Sequence, residues 1–560
     1  MVSHRTLDEP PASRGNARTS GLLRIGPVAA CFVGMLFIGW FHRDFFLSNF
    51  NAFEGDWGDG RFVALVASHW AQLGQFPGGW LDLGIFAPYA NTLSYSDTFL
   101  LPGIVAAPLQ WLGVGILPSF QWALIALSAA SYAAAVTLIR IGPRGNWLTA
   151  ISTGVLVTFS NGLALSSAHP QLQAISLGSV ILLFALLSIR ARSPIGAAAW
   201  GFAAGSSMAL IVTSTFYAGW MLVLGFSATG IVIAATLAIK QVPLQWSQLV
   251  SSFVGAVVGA TAIAPIFLSI YGSAISEGAS RSLDVALGSS LRISELAMMS
   301  ESNLMWGRTI GELFAETRPY EFWFAPTIVL VAGVVVLGLR AVWRWRDATA
   351  WTAVGLSFGL VGVVAWLIPA NYFGWSPWQM IYNIPGAQAV RAIGRFELLA
   401  GFLLAIALGV LAVHILRSAS RAGRIAVSVL LVIVVAEQVN TIERQSYSQL
   451  VSSTQQPVTD PPESCKYFVL LEPRWETPGF AEQIDAMAIA RSTGLPTLNG
   501  YSGWSPPGWT MDIDAPDYLR NTRSWSGRWF LQGLCGYLSR ENTWLAPDQT
   551  REFLAEAARM

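Results

Sequence analysis

Phe99-Leu100-Leu101-Pro102-Gly103-Ile104-Val105-Ala106-Ala107-Pro108-Leu109-Gln110-Trp111-Leu112-Gly113-Val114 decides how this chain is threaded. The stretch is apolar enough to enter a bilayer, but Pro102 and Pro108 interrupt it, so it reads either as a span or as a re-entrant segment. Charge placement chooses between the two. If the stretch does not cross, spans fall near 25–41, 119–139, 147–165, 171–189, 196–213, 216–238, 248–272, 323–341, 350–369, 394–416 and 425–441. Arg140 and Arg144, Arg190 and Arg192, Lys240, the group Arg340, Arg344, Arg346, and Arg417, Arg421, Arg424 then share a side with the basic amino terminus. Had it crossed, every one of these groups would face outward, against the positive-inside rule. The sequence therefore predicts about eleven spans in an all-α polytopic membrane protein.

Composition agrees with that class. Of 560 residues 53% are hydrophobic and only 12% charged, with mean hydropathy +0.51, which is too apolar for a soluble globular chain. A net charge of +1 offers no field to attract nucleic acid, so no nucleic-acid partner is expected and the lipid bilayer is. Residues 1–24 are polar and arginine-bearing and read as a disordered cytoplasmic leader. No small-residue cleavage site follows the first span, so it is read as retained. The membrane domain is expected over 25–441, with 42–118, 273–322, 370–393 and 442–560 outside. Of these, 442–560 is large enough for a small external domain of α/β or mixed type.

The first external loop carries Glu54-Gly55-Asp56-Trp57-Gly58-Asp59-Gly60-Arg61. A carboxylate there, partly desolvated beside the membrane, suits a general base toward a hydroxyl. The plain alternative is a Gly-Asp turn in which Asp59 caps the next helix. That helix places Phe62, Val63, Val66, Trp70 and Leu73 on one face and Arg61, Ser68, His69 and Gln72 largely on the other, a pattern suited to lying flat at the interface. Two neighbouring aspartates leave a divalent cation open, and no other cofactor is implied. His42, His69, His169 and His414 show no ligand spacing, so no metal site is assigned. Cys465 and Cys535 in the tail can bridge only in an oxidising compartment, and spacing leaves bridge and free thiols equally open.

Asp56 to Arg61, the run Ile85-Phe86-Ala87-Pro88-Tyr89-Ala90-Asn91-Thr92-Leu93-Ser94-Tyr95-Ser96-Asp97, and His169-Pro170-Gln171-Leu172-Gln173 together resemble the bacterial polytopic proteins grouped with GT-C glycosyltransferases. Ile384-Pro385-Gly386, Arg391-Ala392-Ile393-Gly394-Arg395-Phe396, Asp485-Ala486-Met487 and Pro496-Thr497-Leu498-Asn499-Gly500-Tyr501-Ser502-Gly503 extend the resemblance over most of the chain. It implies a GT-C fold, an external active site under the first loop, and a polyprenyl-phosphate-linked sugar donor. The acceptor would be an envelope glycan, lipid or protein on the external face of a bacterial inner membrane. By the same resemblance Asp59 or Asp56 is the catalytic residue, with Asp59 preferred; Trp57 between the glycines leaves their alignment open.

Other residues acquire expectations beside that resemblance. Arg391 and Arg395, at i and i+4, would present two guanidiniums to a departing phosphate, or else anchor the span at the interface with Glu397 as local partner. Arg61, His169, Gln171, Asp97 and Tyr95 are expected at the donor or its head group, with capping or packing an equal reading for His169. Asn499, Tyr501 and Trp504 are expected at the acceptor; the rings of this turn, Trp504 and Trp509 above all, suit stacking on a sugar face or packing of the tail on the membrane. The mixed charges of 273–322, Arg281 among them, read as a solvated surface from which one or two reach the site. Phosphate loops, dinucleotide fingerprints, HExxH and paired CxxC are absent from the sequence. The competing class is a lipid-linked saccharide transporter or a non-catalytic partner in polysaccharide assembly, which would favour repeated, broken spans; the two halves show no clear duplication.

Overall fold

The computed structural model describes residues 19–50, 52–53, 55–56, 58–242, 245–276, 280–314, 323–442, 458–471, 479–512, 517–529 and 531–557. The leader expected over 1–24 lies outside them up to residue 18, as does Trp57. Among the described residues eight helices are long and apolar enough to cross a membrane: Ile116–Ile141, Trp147–Ala168, Pro170–Ile189, Pro194–Ser214, Phe216–Ile239, Trp246–Ser276, Ala350–Leu367 and Ile393–Ser418. Three further positions expected as spans hold shorter apolar stretches, Ile25–Phe41, Ile328–Trp343 and Arg421–Ala436. The stretch that opened the sequence reading forms a helix of only 12 residues, Leu100–Trp111. At 1.5 Å per residue it reaches about 18 Å, well short of a bilayer core.

The helix Phe396–Ser418 runs through the middle of the bundle, buried along almost its whole length. Its sequence allows this, since it is apolar on every face and has charges only near its ends. Pro194–Ser214 and Trp246–Ser276 pack backbone to backbone. A Cβ on Gly205 would lie 2.0 Å from the Ala256 carbonyl oxygen, and one on Gly255 would lie 2.1 Å from that of Ala198. Lipid tails are as apolar as leucine, so such small-residue contacts supply van der Waals attraction that larger side chains would prevent.

Basic residues of the connections between spans, Arg190, Lys240 and Arg417 among them, gather at one end of the bundle. Arg190 Nη2 donates to the Gly142 carbonyl at 2.8 Å, Lys240 Nζ to those of Trp345 and Ala348 at 2.8 and 2.7 Å, and Arg417 Nη2 to that of Arg144 at 3.2 Å. Each cation thereby satisfies carbonyls that a helix end or turn leaves open.

The opposite end is covered by the tail. Strands Tyr467–Leu470 and Leu534–Leu538 pair in parallel and Thr543–Leu545 joins antiparallel, with helices Gly479–Thr493, Tyr518–Arg528 and Pro547–Ala557 around them. Cys465 and Cys535 are bonded to each other beside this sheet. The first loop is stitched to the tail's backbone: Phe86 N donates to Asn499 O at 3.0 Å, Ala87 N to Thr497 O at 2.9 Å, and Thr497 N to Gly84 O at 2.9 Å. Two distant motifs, 84–87 and 496–499, thus form one ladder. The loop helix Asp59–Ser68 differs from the expected interfacial helix: Gly60 to Ser68 are all buried. Its apolar face rests on Phe99 and Leu100, and its polar face is taken by the tail helix, where Arg61 pairs with Asp485 and Arg491 Nε meets Ser68 Oγ at 3.2 Å.

Candidate functional site

Where the tail meets the bundle they enclose a cavity of about 780 Å³. The loop helix begins at Asp59, in its first turn, with Gly58 before it supplying no side-chain cap. The capping role falls to Asp56, whose Oδ1 accepts from Gly60 N at 2.8 Å. Asp56 does not line the cavity, whereas Asp59 does. This resolves which aspartate turns inward, and it corrects the alternative in which Asp59 was the cap.

Both oxygens of Asp59 are held. Oδ1 accepts from the Tyr501 hydroxyl at 2.6 Å, and Oδ2 lies 3.0 Å from His169 Nδ1. His169 is the single residue between the spans Trp147–Ala168 and Pro170–Ile189, so two helix ends fix it. Burial pushes the Asp59 carboxyl up, but His169, the Tyr501 hydroxyl and the Arg395 charge outweigh it and leave the carboxyl below its usual range. Asp56 goes the other way: burial raises it, with Asp59's charge adding to the rise against the Gly60 N–H. The Tyr501 hydroxyl is raised by its burial and by Asp59, so it stays protonated and donates.

Three arginines, Arg281, Arg391 and Arg395, line the same cavity. Arg391 and Arg395 do not share a helical face as their spacing suggested. Arg391 lies in an irregular connection, followed by a 3₁₀ turn at Ile393–Arg395 and the central helix from Phe396. The turn nevertheless brings both to the cavity. Arg395 is 8% exposed and sits 5.4 Å from the Tyr217 ring centre. Glu397 is no partner to them: it is fully buried, and neither carboxyl oxygen makes a hydrogen bond among the described residues.

Asp97 lines the cavity too, but its Oδ1 accepts from Phe216 N at 2.8 Å and so caps the span that starts there. Burial pushes this carboxyl up to about 6 against the Phe216 N–H and the Arg395 charge. Tyr95, Gln171, Tyr501 and Trp504 also face the cavity.

Other sequence assignments need correction. Arg61 has no accessible surface and does not line the cavity; its Nη2 pairs with Asp485 and holds the tail helix to the loop helix. Asn499 is buried, donating to Gln483 Oε1 at 3.1 Å and Tyr518 Oη at 2.9 Å while accepting from Leu470 N at 2.9 Å. With its amide fully used inside the tail, no sugar reaches it. Trp509 packs edge-on against Phe86 at 4.9 Å and donates to Leu498 O. Among the described residues no three His, Cys, Asp or Glu side chains are grouped to hold a metal ion.

Sequence reading singled out neither Tyr217 nor Trp220, which form an aromatic wall with Phe216, Phe267 and Tyr271. They sit inside apolar runs that look like ordinary spans. Arg281 was one charge among many in its loop.

This arrangement defines a polytopic membrane protein whose small sheet-containing tail closes one end of a helical bundle over a cavity that combines charged side chains with an aromatic wall. Two solved structures are similar to it. Over 84% of this chain and 62% of its own, the oligosaccharyltransferase of Archaeoglobus fulgidus, crystallised in complex with Zn and sulfate, matches with TM-score 0.49 and 13% identity. ArnT from Cupriavidus metallidurans, solved in the apo state, matches over 86% of this chain and 90% of its own with TM-score 0.35 and 14% identity. The chain spans 62% of the length of the first. By sequence, no family model and no characterised protein matches the chain.

Proposed function

We propose that the chain is a membrane glycosyltransferase that moves a sugar from a polyprenyl-phosphate donor to a hydroxyl of an envelope glycan, lipid or protein. One observation carries the reading: a single cavity holds a carboxyl group braced on both oxygens, Asp59, together with Arg281, Arg391 and Arg395 and an aromatic wall. A lipid-linked sugar phosphate needs these three environments. The wall suits prenyl carbons and sugar faces, the guanidiniums suit phosphate oxygens, and the carboxylate suits a hydroxyl proton.

In the proposed reaction Asp59 takes the proton of the acceptor hydroxyl. The acceptor oxygen bonds to the anomeric carbon, the carbon–oxygen bond to phosphate breaks, and the phosphate leaves with the electron pair. Arg391 and Arg395 stabilise its charge. A single displacement inverts the anomeric centre. His169 and Tyr501 aim Asp59 and keep it ionised between turnovers.

The external face of a bacterial inner membrane is the proposed location. Two features support it: Arg190, Lys240 and Arg417 cluster with the helix connections at the end of the bundle away from the tail, and a Cys465–Cys535 bond suits an oxidising compartment.

The test incubates purified protein with a panel of polyprenyl-phosphate sugars and acceptors. Asp59→Asn should lower transfer by about 10²–10⁴-fold while Asp56→Asn retains most of it. Undiminished transfer by Asp59→Asn sinks the proposed base. Transbilayer movement of the lipid without any transfer would mark a transporter instead.

A further inference from the structure

Arg281 joins three parts of the molecule at the mouth of the cavity. Its backbone is fixed, with N donating to Gln388 O at 2.9 Å and O accepting from the Tyr382 hydroxyl at 2.7 Å. Its side chain reaches across to the tail, where Nη2 donates to Gly503 O at 2.9 Å and the guanidinium lies 4.9 Å from the Trp504 ring centre. The turn it grips, Tyr501–Trp504, also carries the hydroxyl bonded to Asp59. A backbone anchored on both sides leaves the side chain as the part free to change partners.

Those partners are weak for a guanidinium. A neutral carbonyl and a ring face are poor substitutes for an anion, since charge-assisted bonds to phosphate are roughly twice as strong as neutral ones. Arg391 lines the same cavity; burial first and then the like charge of Arg391 disfavour the Arg281 cation. An anion placed between the two relieves that repulsion and offers Arg281 a better acceptor.

Resting on the donor site described above, we propose that Arg281 is a latch opened by the donor's phosphate. The guanidinium leaves Gly503 and Trp504 for the anion, and the freed Tyr501–Trp504 turn then admits the acceptor. Arg281 is thus a positioning residue that makes donor binding precede acceptor binding.

The test uses the full chain in detergent with farnesyl phosphate as probe. Binding is followed by calorimetry, and the environment of Trp504 by the fluorescence difference between wild type and Trp504→Phe. Wild type should show a Trp504-dependent change that saturates with the calorimetric binding curve. Arg281→Gln should show the released-state fluorescence without ligand, no further change on addition, and affinity lower by about ten- to hundredfold. Arg281→Lys, which keeps the charge but not the planar fork, should bind more tightly than Arg281→Gln. Calorimetric binding with identical fluorescence responses in wild type and Trp504→Phe overturns the latch and leaves the donor site standing. No calorimetric binding at all overturns the donor site, and the latch with it.

Discussion

The Tyr501 hydroxyl donates to Oδ1 of Asp59 at 2.6 Å across 442 residues of chain. A carboxylate at the start of the first loop is therefore set by a residue in the carboxy-terminal tail, and neither segment forms the site alone.

Removing that hydroxyl should shift the working pH. Tyr501 is one of the groups holding the Asp59 carboxyl low against burial, so Tyr501→Phe raises it. The acidic limb of the rate–pH profile should move to higher pH, with rates at alkaline pH less affected than those near the limb. An unmoved limb would show that Asp59 does not set it.

Asp56 and Asp59 should separate by phenotype. Asp56→Ala deletes the acceptor of the Gly60 N–H and should cost about 0.5–2 kcal/mol, as other lost helix caps do. Thermal unfolding should show this loss for Asp56→Ala, whereas Asp59→Asn should lose transfer with a far smaller change in melting temperature.

Asp97 gives a stability signature with a definite sign. Its carboxyl rises from 3.8 to about 6 on folding, so between these pH values the folded chain holds a proton that the unfolded chain has released. Stability from this group falls as pH rises through that window. Asp97→Asn keeps an oxygen for the Phe216 N–H but cannot ionise. The melting temperature of the variant relative to wild type should therefore climb between pH 4 and pH 7. A constant offset would contradict the assignment.

Arg61 and Asp485 should couple strongly. Losing one member of a buried pair leaves the other uncompensated, at about 3–5 kcal/mol, although the partial exposure of Asp485 moderates its side. Arg61→Met alone should be more damaging than Arg61→Met combined with Asp485→Leu, as read from a double-mutant cycle of unfolding. Additive losses would show no direct pairing.

Gly205→Ile should disrupt the pairing of Pro194–Ser214 with Trp246–Ser276, because the Ala256 carbonyl occupies the space its Cβ needs. A loss of about 1–3 kcal/mol or more is expected. Gly230→Ala, where nothing lies within 4 Å, serves as the tolerant control. Equal melting temperatures for the two would refute the contact.

The one-dimensional signals reported on the membrane. Apolar run length marks spans because the bilayer imposes a minimum, and basic residues recur at every second turn of the chain because they share one end of the bundle. Pro102 and Pro108 left the stretch around Leu100–Trp111 open between span and re-entrant segment until charge placement chose the latter, and it is a short helix. Asp59 and His169 could be named from their motifs. Their meeting could not be read from spacing, since it depends on how Trp147–Ala168 and Pro170–Ile189 place the residue between them. Arg61 and Asn499 looked like site residues because polar side chains in external motifs resemble ligand contacts. Tertiary packing instead engaged Arg61 in joining the first loop to the tail and Asn499 in bonds within the tail. The sequence by itself determined a polytopic helical protein with its chemistry at one end, because hydropathy and charge act locally along the chain. Only the tertiary structure decided that Asp59 rather than Asp56 turns inward, because that choice rests on contacts with His169 and Tyr501, which lie far away in sequence.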